Sequence, residues 1–167
     1  MLKQFQKHKS DGFTIIEVLI VLAIAGLIMV VVFLAVPALQ RSGRNNALNT
    51  DANNVLTAVG NYVSNNNGTL PTSVSLSGTT VTISGAAGSN SETAKVDTGL
   101  SAASLITAAT NAVTTSSSTG TLQVVTGSAA VCNGTASGLG GSGSPRSYAV
   151  LYVAESGSGN IVKCVGA

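Results

Sequence analysis

The sequence predicts an α+β fold in which one long N-terminal helix packs against a small antiparallel β-sheet head. Residues 13–37 are almost wholly apolar, residues 38–66 repeat apolar positions at helical spacing, and residues 147–165 alternate as two strands around a turn. We therefore expect the first half of the helix to be transmembrane. The second half should be amphipathic and lie against the sheet.

The apolar segment, residues 13–37, is long enough to cross a bilayer. Its about 24 residues include one charged residue, Glu17. A helix of that length is about 36 Å long, which exceeds the hydrocarbon core of about 30 Å. A carboxylate at the centre of such a helix costs about 2.5–3.5 kcal/mol, so an intramembrane acid indicates function. The alternative is an ordinary anchor whose Glu17, in the first turn, stays hydrated near the headgroups.

Residues 1–12 form a short polar segment that contains Lys3, Lys7, His8 and Lys9. A secretory signal places its apolar core before the cleavage point. Here the natural break, Gly12, comes before the apolar core. Cleavage at this point would leave the apolar segment at the new N-terminus.

The run Gly12-Phe13-Thr14, followed by Glu17 and the apolar residues, resembles the prepilin signature of type IV pilins, type II secretion pseudopilins and competence pilins. The resemblance implies that a prepilin peptidase cuts after Gly12 and methylates the new amino terminus at Phe13. It also implies that Glu17 neutralises the amine of a neighbouring subunit during assembly. A free amine is cationic below about pH 8, and an unpaired buried charge is costly, so such pairing is physically favourable.

Two helix-weakening residues, Gly26 and Pro37, lie in the apolar segment. Gly26 matches a common family position, whereas Pro37 falls later than the proline of many pilins. Because family filaments can unwind between the corresponding residues, the resemblance makes 26–37 a candidate for unwinding.

The resemblance also implies four parts and their partners. The parts are a cleaved basic leader (1–12), a transmembrane and filament-core helix (13–37), an amphipathic helix (38–66) and a β-rich head with a C-terminal disulfide loop (67–167). The partners are other copies of the chain, the prepilin peptidase, an inner-membrane platform with its assembly ATPase, and membrane lipid before assembly. We expect a single-pass membrane protein with a cytoplasmic leader that later enters an extracellular filament.

Charge and cysteine placement agree with this topology. The net charge of +2 lies entirely in the leader, since five basic and five acidic residues follow from Phe13 onward. The basic leader favours a cytoplasmic N-terminus, and the neutral remainder has no bulk field that attracts nucleic acid. Cys132 and Cys164 follow the span, which suits an oxidising exterior. The resemblance implies that they form the C-terminal disulfide of pilins; two free buried thiols are the alternative.

The rest of the chain predicts the following elements. The helix should end at residues 65–68, where Asn and Gly residues cluster. Its buried face should hold Leu48, Ala52, Val55, Leu56, Val59, Tyr62 and Val63, and its polar face Asn49, Asp51, Asn53, Asn54 and Asn61. Strands are predicted at 79–84, 122–126, 147–155 and 161–165, a polar loop at 85–99 and a short helix at 100–113.

We find no catalytic constellation and expect neither an enzyme, nor a cofactor, nor a metal site. The one histidine, His8, lies in the leader. Without histidine, acid–base chemistry needs a tuned carboxylate pair or a lysine, and Glu92 and Asp97 are typical of a solvated loop. The two cysteines are too far apart for a zinc or redox motif.

The leading interpretation is a structural subunit of a type IV pilus that supports adhesion, motility or DNA uptake. A type II secretion pseudopilin is the first alternative, but major pseudopilins usually carry a calcium site, and Glu155 is the sole acid after Asp97. A minor or competence pilin that captures DNA is the second alternative. It would need clustered cations, and Arg146 and Lys163 near the last hairpin give it thin support.

Overall fold

The computed structural model describes residues 12–96, 100–106, 118–133, 139–140 and 143–166. Within them, one long helix, α1 (Ile15–Asn65), precedes seven strands. The strands are β1 (Ser73–Ser77), β2 (Thr80–Ser84), β3 (Glu92–Lys95), β4 (Ala102–Ile106), β5 (Thr121–Thr126), β6 (Tyr148–Ser156) and β7 (Gly159–Gly166). This element order confirms the predicted α+β class.

The strands form two sheets. The first has the order β1-β2-β3 and is antiparallel throughout. The second has the order β4-β5-β6-β7; β4 and β5 are parallel, and the other neighbours are antiparallel. A parallel pair needs a long connection, and residues 107–120 supply it.

The chain divides into two compact units, Met1–Leu39 and Gln40–Ala167. In the first unit every described residue is exposed. In the second unit, called the head below, the C-terminal half of α1 buries a stripe at intervals of three and four residues, which lines up one helix face. The stripe consists of Leu48, Ala52, Val55, Val59 and Tyr62.

The main core of the head joins this stripe to both sheets, through residues such as Ile83 of β2 and Leu122 of β5. Side chains alternate along a strand. Accordingly Val150, Tyr152 and Ala154 of β6 join the α1 cluster, whereas Ala149, Leu151 and Val153 join a second cluster on the opposite face of the sheet. Strand β6 is therefore buried on both faces, which explains its nearly continuous apolar sequence.

Strands β2, β5, β6 and β7 match their predictions, but other local predictions were wrong. Residues 102–106 form strand β4 rather than a helix, because they pair in parallel with β5; residues 107–113 of that prediction lie outside the described residues. Strand β3 lies within the predicted loop, and β1 was not predicted. Asp51 is not on the polar face of α1, since only 2% of it is exposed.

The helix ends as predicted, although an asparagine adopts the unusual conformation. Asn67 has a φ of 54° and Gly68 a φ of 80°. The N–H of Gly68 donates to the carbonyl of Val63 at 2.8 Å. Such a bond closes a helix C-terminus through a left-handed residue, most often glycine.

Candidate functional site

The predicted cleavage point lies outside the helix and is exposed. Gly12 and Phe13 precede the first helical residue, Ile15, and both are exposed. Phe13 is 89% exposed, and apart from the adjacent residues no heavy atom of the described part of the chain lies within 4 Å of where a Cβ on Gly12 would stand. A protease needs an accessible, non-helical peptide bond, and this junction offers one.

Thr14 and Glu17 bind each other across the first turn of α1. The backbone N–H of Thr14 donates to Oε2 of Glu17 at 2.9 Å, and the Thr14 hydroxyl donates to the same oxygen at 2.7 Å. The N–H of Glu17 donates in turn to the Thr14 hydroxyl oxygen at 3.4 Å. This reciprocal pattern is a capping box, which satisfies backbone donors that the helix itself leaves unpaired.

The capping box fixes where the carboxylate lies. Glu17 is held at the positive end of the helix dipole, next to the Gly12–Phe13 junction. Among the described residues, Oε2 receives both Thr14 bonds and Oε1 receives none. The arrangement therefore leaves one carboxylate oxygen for a cationic group outside the chain.

Sequence reasoning placed Glu17 at this end but did not assign a role to Thr14. The signal was available, because Thr-x-x-Glu directly before an apolar run is typical of a capping box.

The rest of the apolar segment presents apolar side chains on all sides. The helix is long and apolar enough to cross a membrane, and none of its most apolar window is buried within the chain. α1 continues without interruption through Gly26 and Pro37. Pro37 has no N–H to donate to the carbonyl of Phe33, so one helical hydrogen bond is missing there. Unwinding between Gly26 and Pro37 remains a prediction.

Cys132 and Cys164 form a disulfide, with their Cα atoms 5.6 Å apart. Both cysteines pack against the second core cluster, on the face of the β4–β7 sheet that is turned away from α1. Cys164 lies on β7 opposite Leu151. The bond ties the edge strand of this sheet to the segment that leads into β6.

The two cations proposed for DNA capture do not form a cluster. The Arg146 guanidinium lies beside Gly68 at the C-terminal end of α1. Lys163 pairs with Tyr152 on β6, whereas Arg146 precedes Tyr148, the first residue of that strand. Tyr152 lies four positions beyond Tyr148, which is about 13 Å along the strand.

No group of three or more histidine, cysteine or acidic residues in the described part of the chain could hold a metal ion.

The N-terminal region of the chain matches a known family. Residues 7–33 match the family model described as the prokaryotic N-terminal methylation motif. The match covers the residues just before Gly12, the predicted cleavage junction, Glu17 and most of the apolar segment. Comparisons with curated proteins and with solved structures found no match. The motif supports a protein of the type IV pilin-like or pseudopilin kind.

Proposed function

We propose that this chain is the structural subunit of a type IV pilus, cut after Gly12, methylated at Phe13 and polymerised through its apolar segment. The observation that carries the proposal is the methylation motif at residues 7–33, which includes the start of an apolar helix with one carboxylate in its first turn. The resulting filament supports adhesion, motility or DNA uptake.

Glu17 guides assembly in this proposal. Cleavage after Gly12 creates an amine on Phe13 that is cationic at neutral pH. An unpaired cation inside a filament core would be costly, and pairing with Glu17 of a neighbouring copy offsets much of that cost. The capping box supports this role, because Thr14 occupies Oε2 and leaves Oε1 for the incoming amine.

The energetics explain why assembly would need machinery. Lipid tails are as apolar as the side chains of the helix, so transfer from a bilayer to a filament core gains little net burial. An inner-membrane platform and an assembly ATPase supply the remaining work. The partners are therefore this machinery, the prepilin peptidase, membrane lipid and other copies of the chain. The protein moves from the cell membrane to an extracellular filament.

Features of the head favour a pilus subunit over the two alternatives. Both carboxylate oxygens of Glu155 already accept hydrogen bonds from Arg44, so this acid is a poor candidate for a calcium ligand of a pseudopilin. Arg146 and Lys163 lie apart in the described part of the head, which weakens the case for a DNA-capturing pilin. The Cys132–Cys164 disulfide is typical of pilins.

The proposal is tested by replacing the wild-type gene in the native cell with a Glu17→Ala variant. We expect the variant to be cleaved after Gly12 but to yield no sheared surface filaments, because the Phe13 amine has no partner. Glu92→Ala removes a half-buried carboxylate of the head and serves as the control, with normal filaments expected. Normal filaments from Glu17→Ala would refute the assembly role. Wild-type protein that is cleaved but stays in the envelope would favour a pseudopilin.

A further inference from the structure

Two consecutive residues of α1, Arg44 and Asn45, form hydrogen bonds with a single residue of β6, Glu155. Asn45 donates from Nδ2 to the backbone carbonyl of Glu155 at 2.8 Å, and its Oδ1 accepts from the backbone N–H of Glu155 at 2.8 Å. Arg44 donates from Nε to Oε1 of Glu155 at 2.8 Å and from Nη2 to Oε2 at 2.5 Å. These hydrogen bonds join residues that lie 110 and 111 positions apart in the chain.

The place of Glu155 on β6 explains the Asn45 contact. The carbonyl of Val153 accepts a hydrogen bond from the N–H of Gly120, just before β5 begins. Backbone groups two residues apart on a strand point the same way, so those of Glu155 point to the side where β5 no longer extends. The Asn45 amide offers one donor and one acceptor, as a peptide group does. It therefore continues the hydrogen-bond ladder of β6 past the first residue of β5.

We propose that Arg44, Asn45 and Glu155 form a two-part latch that fastens the β6–β7 hairpin to α1, with an Asn45 part that is insensitive to pH and an Arg44 part that opens in acid. The latch follows from the geometry of the head and does not depend on the proposed function.

The charged groups around Glu155 determine the direction of the pH effect. The pKa of the Glu155 carboxyl lies below its ordinary value of 4.5. The hydrogen bonds from Arg44 are the largest cause, and the positive charges of Arg44 and Arg41 lower the pKa further. Strand β7 places the uncharged Asn160 opposite Glu155. A carboxyl with a lowered folded-state pKa stabilises the fold above its unfolded pKa, and this stabilisation is lost as the pH falls through the folded pKa. The Arg44 part is therefore closed at neutral pH.

The two parts differ in strength because they differ in exposure. The side chains of Arg44 and Glu155 are 54% and 23% exposed, so solvent weakens their ion pair. The bonds between Asn45 and the Glu155 backbone are partly buried. We therefore expect the Asn45 part to hold the hairpin when acid opens the Arg44 part, and the hairpin of an Asn45 variant to become strongly acid-sensitive.

Hydrogen exchange of the full chain in detergent micelles tests this latch. Protection of amides in residues 155–161 is measured at about pH 6.5 and about pH 2.5, above and below the carboxyl range, and corrected for the intrinsic exchange rate. In wild type we expect a fall of about threefold in acid. In Asn45→Ala we expect lower protection at both pH values and a fall in acid of about tenfold, since each bond lost weakens closure several-fold.

Two further variants separate the latch from general acid effects. Glu155→Gln keeps the shape of the side chain without its titration, so protection should be constant between the two pH values. Glu92→Gln is the matched control; Glu92 is an acid on β3 that accepts from Asn65 at 2.6 Å, and its variant should behave like wild type.

Equal losses in acid for Glu155→Gln and wild type, or no loss in wild type, would overturn the Arg44 part. Unchanged protection in Asn45→Ala would overturn the Asn45 part. If Asn45→Ala does not fold, the comparison of Glu155→Gln with wild type still decides whether the hairpin is latched by the carboxylate.

Discussion

The apolar segment and the head differ in how far their apolar side chains are buried within the chain. In the apolar segment large side chains such as Phe33 and Leu34 are mostly exposed. Among the described residues of the head, the most exposed large apolar side chain is that of Ile161, and only 37% of it is exposed. Apolar surface left in water is unfavourable by about 25 cal/mol per Å². The head therefore buries its apolar side chains within its own fold, whereas the apolar segment needs an apolar environment outside the chain.

This contrast suggests that the two regions respond to substitution independently. The three tyrosines, Tyr62, Tyr148 and Tyr152, all lie in the head, and the chain has no tryptophan. Tyrosine fluorescence during urea unfolding thus reports on the head alone.

The largest effect is expected from removal of the disulfide. Replacing both Cys132 and Cys164 by serine should lower the free energy of unfolding of the head by about 3–4 kcal/mol, since the bond closes a long loop. Urea unfolding followed by tyrosine fluorescence measures the change, and wild type with reductant is the control. An unchanged midpoint would show that the bond does not stabilise the head.

A pair of glycine substitutions separates the two regions directly. A Cβ on Gly85 would overlap the hydroxyl of the buried Tyr62, so Gly85→Ala should destabilise the head by about 1–3 kcal/mol. A Cβ on Gly26 meets no atom of the described residues within 4 Å beyond its neighbours and the backbone of its own helix, and alanine favours a helix by about 1 kcal/mol over glycine. Gly26→Ala should therefore leave the tyrosine transition unchanged. Equal destabilisation by both would break the contrast.

Thr14 provides a smaller test at the amino end. Loss of the capping box in Thr14→Ala should weaken the first turn of α1 by about 1 kcal/mol, whereas Thr14→Ser keeps the hydroxyl. Amide exchange of residues 15–18 in detergent micelles measures the effect. If serine protects these amides no better than alanine, the hydroxyl does not cap the helix.

The smallest effect is expected where α1 ends. Asn67→Gly should stabilise the head by about 0.5 kcal/mol and Asn67→Ala should destabilise it by about 1 kcal/mol, because glycine alone adopts a positive φ freely. The same tyrosine-monitored unfolding ranks the three proteins. The reverse order would mean that the Asn67 side chain makes a stabilising contact that outweighs its backbone cost.

Local sequence signals predicted the apolar segment far better than the head. Length, apolarity and the spacing of Gly12, Phe13 and Glu17 are properties of adjacent residues, so the helix and the motif could be read directly. The Thr14–Glu17 pair is equally local and could have been found.

The head depends on pairings that no local pattern contains. The spacing of Ala102, Leu105 and Ile106 fits a helix, but parallel pairing with the distant β5 decides for a strand. Likewise, the sequence offered no sign that Asn45 would meet the backbone of Glu155, 110 residues away. Asp51 was assigned to the polar face, although it stands three residues after Leu48 and four before Val55 and therefore lies beside the buried stripe.

The most direct test of the account is the N-terminal residue of the protein in sheared surface filaments, read by mass spectrometry. The account predicts a first residue Phe13 that carries an N-methyl group, within filaments outside the cell. An exported protein that still begins with residues 1–12 would contradict it, because the Gly12–Phe13 junction would then be an ordinary part of a membrane anchor.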